Sequence, residues 1–419
     1  MKILISGASV AGPVLAYWLR RHGFHPTLVE RAPGPRKTGG HSVDLFRPAL
    51  DIIERMGLLA TVQSMSTGTD ALVLLTEANQ RGVEIDLKRF MAAFSDRHLE
   101  IMREDLSEIL HGATTGIECI FGDSISALRE RSDRVDVSFE RSQARSFDLV
   151  IGADGLHSNV RRLVFGPEER FTRFAGAYLA VLTLPNYLGL SERTLLYRAP
   201  GRAVGLYSTR HLPDARAVFL WRRDEPLSVH HRDTAGQKQI VRETFDDIGW
   251  EVPRLLSELE HAPAFYFDSI SQLCMPRWSR GRFSLVGDAG YCPGPAIGGS
   301  TSLAVVGAYV LAGELAAAGR DYSKAFRACE DRLEDYVLAS RKFALHTARQ
   351  LLPRSARSMW LQTRVLRLMN ALPAPWARAI VDLGRRRTRL HDTVVVQKYA
   401  VLATPGASPL PRHSAASTG

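Results

Sequence analysis

The stretch from Lys2 to Glu30 constrains the fold more than any other. It opens with the apolar run Ile3-Leu4-Ile5, the pattern of a strand buried on both faces. Gly7-Ala8-Ser9-Val10-Ala11-Gly12 follows, then a helix-like run to His22 and a second strand, Thr27-Leu28-Val29-Glu30. Strand, glycine turn, helix, strand and terminal acid make a dinucleotide-binding unit. Gly7 permits the tight turn, and Gly12 lets the helix pack close on the strand. Ser9 stands where the fingerprint has a glycine, so that backbone can approach the pyrophosphate. The helix start offers unpaired N–H groups and a positive dipole end to phosphate. Glu30 can accept both hydroxyls of an adenosine ribose and would repel a 2′-phosphate. The tightly held ligand is therefore expected to be FAD or NAD, not NADP.

The chain has 419 residues, so two or three units are expected at roughly 100–200 residues each. Cys119, Cys274, Cys292 and Cys329 form no short-spaced pair, which fits isolated thiols and neither a disulfide frame nor a zinc site. No charged-then-apolar leader opens the sequence, and a cytoplasmic protein is expected. The apolar run Leu303 to Ala318 is broken by Glu314 and reads as a buried helix, being shorter than the roughly 20 residues of a membrane span. The net charge of +10 is uneven: residues 341–391 hold twelve Lys or Arg against Asp382, or +11, and the rest sum to −1. A neutral body with one basic segment is not the footprint of a nucleic-acid binder.

Further along, Arg31 to Gly40 reads as a loop and Leu45 to Leu59 as a helix. Strands are expected within 71–90, over 135–139 and over 149–152, ending in Ala153-Asp154-Gly155. Arg103 opens an amphipathic helix, placed to meet a phosphate or to be solvated. Residues 176–225 are strand-rich and carry Tyr197, Tyr207, Phe219 and Trp221. A strand from Arg282 ends in Gly287-Asp288, followed by a glycine-rich loop to Thr301 and the apolar helix. In the tail, Leu361, Val365, Leu368, Met369 and Leu372 form one apolar stripe bordered by Arg357, Arg364 and Arg367. Such a basic helix can lie on a membrane. The reading favoured is one that packs its stripe on the body and shows its arginines to water. A second helix is expected from Trp376 to Arg387, and flexible chain from 404 to 419.

Three elements now stand in order: Gly7-x-Ser9-x-x-Gly12 with Glu30, Asp154-Gly155, and Gly287-Asp288. Together they resemble the class A FAD-dependent monooxygenases, the para-hydroxybenzoate hydroxylase fold, over roughly residues 1–350. Asn186 to Leu190, Phe245 to Trp250, Tyr291-Cys292-Pro293 and Gly307 to Leu315 are similar to the tetracycline-inactivating monooxygenases and their actinomycete relatives. Two positions depart from the family. Ser300 follows Gly298-Gly299 where Gly-x-Gly is usual, and Gly290-Tyr291 stands where Ala-His is frequent.

The resemblance implies an α/β fold: a Rossmann-like FAD-binding domain (1–70, 97–175 and 271–340), an inserted strand-rich substrate domain (71–96 and 176–270), and a basic C-terminal helical segment (341–403). It implies that Gly7, Ser9, Val10, Ala11 and Gly12 line the FAD pyrophosphate, with Glu30 and Arg31 at the adenosine ribose. Arg103 would meet the ribityl region, Asp154 would serve FAD and a visiting NAD(P)H, and Asp288 would bond the ribityl or pyrophosphate portion. Pro293, Gly298, Gly299 and Ser300 would border the isoalloxazine ring. Tyr197, Tyr207, Phe219 and Trp221 are the candidates for substrate contact, with core packing the alternative for each. The implied chemistry is oxygen insertion, hydroxylation foremost, into an aromatic or polycyclic polyketide-like molecule through a flavin hydroperoxide. No side-chain nucleophile and no metal is expected, and monomer and homodimer both stay open. The missing tryptophan pair near an Ile-Pro sets halogenation aside. Two rivals share the fold: a flavin-dependent reductase or dehydrogenase, and a flavin-holding binding module.

Overall fold

Parallel pairing explains why the first strand is apolar without alternation. In the computed structural model, which describes residues 1–35, 40–77, 79–91, 95–230, 233–294, 299–371 and 395–400, Lys2–Ser6 lies parallel to both Leu149–Gly152 and His25–Glu30. Six strands form this sheet, in the order Ser279–Arg280, Phe283–Leu285, Leu149–Gly152, Lys2–Ser6, His25–Glu30 and Glu118–Phe121. Only the edge strand Ser279–Arg280 pairs antiparallel. Helix Ala11–Arg21 packs on the long helix Ser300–Ala317, and both belong to the core that buries Ile3, Leu4 and Ile5 completely. Ser300–Ala317 is buried along most of its length, from Ser302 to Leu315. Its one acid, Glu314, is held by the Arg332 guanidinium at 2.6 Å and by the Tyr399 hydroxyl, which donates at 2.7 Å. The charge that interrupts the apolar run is thus paired inside the protein.

A seven-stranded sheet makes the second layer, in the order Phe265–Leu273, Thr172–Pro185, Asp214–Arg222, Arg202–Ser208, Arg193–Ala199, Ala71–Thr76 and Asn79–Asp86. Alternation gives it two apolar faces. Tyr178, Ala180 and Leu182 point to one side, where helices Thr234–Phe245 and Val252–Glu258 cover them. Ala177, Leu179 and Val181 point to the other side, towards Ala344, Ala348 and Leu352. The ribbon Ser42–Phe46 with His98–Met102 stands between the layers.

Three sequence expectations change. The helix expected over Leu45 to Leu59 begins instead at Arg47, as Arg47–Arg55, because Ser42–Phe46 pairs as a strand. Pro48 sits in its first turn, where a missing N–H costs nothing. The segment expected to begin at 341 shares the continuous helix Tyr322–Leu351 with what precedes it. The third change concerns the stripe Leu361, Val365 and Leu368. Helix Ala356–Ala371 packs inward through Met359, Gln362, Thr363 and Leu366, while the stripe faces outward and is exposed. Side-chain bonds from Arg198 to Gln362 and Thr363 orient the helix that way round. The helix expected from Trp376 and the tail from 404 lie outside the described residues.

The close packing at the glycine turn yields a test. A Cβ on Gly12 would lie 1.9 Å from the Gly7 carbonyl oxygen, a backbone atom that cannot swing aside. Gly12→Ala is expected to destabilise the fold by at least about 2 kcal/mol, read as a lowered Tm in thermal unfolding. An unchanged Tm would contradict this packing.

Candidate functional site

The parallel sheet delivers three loops to one end. Gly7 follows Lys2–Ser6 with φ of 105°, and a Cβ there would strike the Ala153 carbonyl. The first glycine therefore serves the approach of the Asp154 loop as well as the turn. Asp154 is tied within the protein: it accepts from the Ser6 and Ser158 hydroxyls and from the Val160 N–H. Burial pushes its pKa up, against those donors. Gly287, with φ of 66°, lies between Ala11 and Ala304, so two helix starts converge beside it. Asp288 accepts from Ser300, whose hydroxyl replaces the glycine expected at that place. Pro293 is buried, and its carbonyl accepts from Gln272 at 2.8 Å. Gly299 ends the loop in the left-handed region with φ of 93°. Gly298 lies outside the described residues.

Glu30 uses each carboxylate oxygen once, accepting from the Ala8 and Ala32 N–H groups at 2.9 Å. Each oxygen keeps a second lone pair. Arg31 beside it is exposed. Ser9 is a junction: its hydroxyl accepts from the Arg103 guanidinium at 3.4 Å, and its carbonyl accepts from Ser107 at 3.1 Å. The irregular residue of the fingerprint thus holds the arginine that opens helix Arg103–Gly112.

The second layer meets these loops through polar groups that the sequence reading did not single out. Arg216 donates to the Gly40 carbonyl and to Glu104, both at 3.0 Å, and the two side chains are almost wholly buried. His41 packs beside Tyr266, with ring centres 5.8 Å apart, and Tyr266 donates to Asp268 at 3.0 Å. His157, from the Asp154 loop, bridges Glu168 at 2.9 Å and Asp268 at 3.5 Å. A signal for Arg216 was present: one arginine within a strand that is otherwise apolar from Ala215 to Trp221. Its partner, 112 residues away, had no such signal.

The four aromatic candidates separate by face. Tyr197, Phe219 and Trp221 lie on the side covered by helices, where Tyr197 stacks on Trp250, Phe219 meets Phe245 edge-on, and Trp221 stacks on Tyr178. They are core packing, because strand alternation turns them away from the loops. Only Tyr207 faces the other way, its hydroxyl accepting from the Ser42 N–H at 2.8 Å.

Comparison with known proteins decides what this arrangement is. The family described as an FAD-binding domain matches residues 1–350. A flavin-dependent monooxygenase of Legionella longbeachae is 40% identical over 352 residues, covering 84% of this chain and 90% of its own length. An uncharacterized protein of Mycobacterium tuberculosis is 47% identical over 326 residues, covering 77% of this chain and 87% of its own. The crystal structure of the tetracycline destructase Tet(55) superposes with a TM-score of 0.80 at 36% identity, over 95% of this chain and 98% of that one. The chain belongs to this FAD-binding family. It is an FAD-dependent monooxygenase.

The residues present fit the cofactor of such a monooxygenase. Two converging helix starts form a donor set suited to a pyrophosphate, Arg103 stands beside the first of them at Ser9, and Glu30 retains lone pairs for ribose hydroxyls. Towards the second layer the ionisable groups are held in defined states. Burial and the nearby Arg103 charge bring His41 down to about 4, leaving the ring neutral. Burial pushes Tyr207 up to about 12, so its hydroxyl keeps its proton. Bonds to Asp268 and Glu168 raise His157 to about 10 and keep it charged.

These shifts set a pH profile. His41 is depressed in the fold, so its contribution is present above 6.5 and is lost as pH falls towards about 4. His157 is raised, so its contribution is complete below 6.5 and is lost as pH climbs to about 10. Denaturant titrations of His157→Gln are expected to flatten the alkaline limb and leave the acid limb in place. The buried pair gives a second test. Arg216→Met strands the Glu104 carboxylate and is expected to cost about 3–5 kcal/mol, with much of it restored in Arg216→Met/Glu104→Gln.

Proposed function

We propose that this monooxygenase hydroxylates an aromatic or polycyclic, polyketide-like small molecule, with NAD(P)H as reductant and O2 as oxidant. The net reaction takes substrate, O2, NAD(P)H and a proton to hydroxylated product, NAD(P)+ and water. One observation carries the reading: the loops suited to FAD meet the seven-stranded sheet on the face that carries Tyr207 and the buried Arg216. The structural similarity to Tet(55), titled a tetracycline destructase, and to the similarly titled Tet(51), supports a polycyclic substrate.

In this reading, residues 1–70, 97–175 and 271–340 hold FAD, while 71–96 and 176–270 hold the substrate. Gly7, Ser9, Val10, Ala11 and Gly12 line the pyrophosphate, Glu30 and Arg31 take the ribose, and Arg103 and Asp288 take the ribityl portion. Asp154 acts at one remove, by fixing its loop against Gly7. Pro293, Gly299 and Ser300 border the ring. When bound, FAD supplies the two-electron reduction and the activation of oxygen. The chain's part is to exclude water and to orient. Tyr207 presents a protonated hydroxyl, and the neutral His41 presents an uncharged ring. The Arg216–Glu104 pair, with the bond from Arg216 to the Gly40 carbonyl, holds the sheet that carries Tyr207 against the segment that carries His41. A cytoplasmic location completes the proposal.

The test begins with the purified protein, which is expected to be yellow. Substrate should speed NAD(P)H oxidation and give a product heavier by one oxygen in mass spectrometry. Substrate reduction without oxygen uptake would point to a reductase, and tight FAD binding without turnover to a binding module. Arg103→Ala is expected to weaken FAD binding roughly tenfold to a hundredfold, the worth of hydrogen bonds to a charged group. Ser9→Gly should retain the cofactor. Unchanged FAD affinity in Arg103→Ala would move the cofactor away from that arginine.

A further inference from the structure

Helix Ala356–Ala371 presents an outer face that no described residue covers. Trp360, Leu361, Val365 and Leu368 are 60%, 58%, 48% and 64% exposed, on consecutive turns. Arg357, Arg364 and Arg367 share the same arc, and the helix carries no acid. Arg364 lies over the Trp360 ring, with its guanidinium carbon 4.9 Å from the ring centre. The opposite side is engaged by the body through Met359, Gln362, Thr363 and Leu366. A soluble surface helix normally buries its apolar stripe. This one packs through Met359, Gln362, Thr363 and Leu366 and leaves the larger apolar stripe outside.

We propose that this face docks on an anionic lipid bilayer, lying in the headgroup region with Leu361, Val365 and Leu368 among the acyl chains. Charge selects the occupant. A second copy meeting it symmetrically would set arginine against arginine. The chain that follows, residues 372–394, carries five arginines against Asp382 and Asp392, so it shares the same sign. An anionic partner satisfies the arginines, and four large apolar side chains require an apolar phase beneath it. Anionic lipid supplies both, with arginine stems lying along the apolar surface and their heads at phosphate. Trp360 suits the boundary between the two regions. The surface is independent of the substrate's identity.

Flotation of the full-length holoenzyme tests this directly. It is expected to rise with phosphatidylcholine–phosphatidylglycerol vesicles at low salt, to stay behind with pure phosphatidylcholine, and to be released as salt increases. Leu361→Ser/Leu368→Ser and Arg364→Gln/Arg367→Gln should each lower the vesicle-bound fraction roughly tenfold. FAD content and Tm should hold in both, since the side chains face outward. No flotation on anionic vesicles, equal flotation on neutral ones, or wild-type behaviour of both variants overturns the proposal. A dimer that either variant converts to monomer in sedimentation velocity assigns the face to a second copy and overturns it as well. Retention on immobilised polyglutamate with no vesicle binding would instead assign it to an acidic protein, with the same consequence.

Discussion

The contact on which the rest depends is backbone against backbone at the first glycine turn. Gly12 sits against the Gly7 carbonyl, and Gly7 sits against the carbonyl of Ala153. Neither position has room for a Cβ. Because the helix starts that close to its strand, its N–H groups open onto the same end of the sheet as Gly287 and helix Ser300–Ala317. The Gly7, Asp154 and Gly287 loops meet because these glycines let them.

A second constraint is electrostatic. The two layers are joined by polar groups that must be paired, since an isolated buried charge is costly. Arg216 with Glu104, and His157 with Glu168 and Asp268, tie the seven-stranded sheet to the Arg103 helix and to the Asp154 loop. These ties align the layers more sharply than apolar contact would, because hydrogen bonds are directional. They also fix His41 and Tyr207 where the sheet meets the segment from Gly40 to Ser42. The chemistry expected of the site needs such fixed, uncharged donors in a region closed to water.

The C-terminal helix shows a different balance. Its inward side is secured by Arg198, which reaches Gln362 and Thr363. That arrangement places Gln362 and Thr363 inward beside Met359 and Leu366 and leaves the apolar stripe to the outside. Read on periodicity alone, Leu361, Val365 and Leu368 belong in the core. Their exposure follows from where the partner donors lie, and donor position has no periodic signature.

What the sequence determined is local. The apolar run Ile3 to Ile5, the spacing of Gly7, Ser9 and Gly12, Glu30, and the two Asp-containing turns all depend on neighbours within a few residues. They were enough to read an FAD-type unit and a family resemblance, and to see Glu314 as an interruption. Tertiary structure decided everything that depends on which distant segments meet. It assigned Ser9 to Arg103 and Ser300 to Asp288, paired Arg216 with Glu104, and gave Glu314 its two partners. It also turned Tyr197, Phe219 and Trp221 away from the site and left Tyr207 towards it. A strand's alternation states that two faces exist, and only the tertiary packing decides which of them meets the loops.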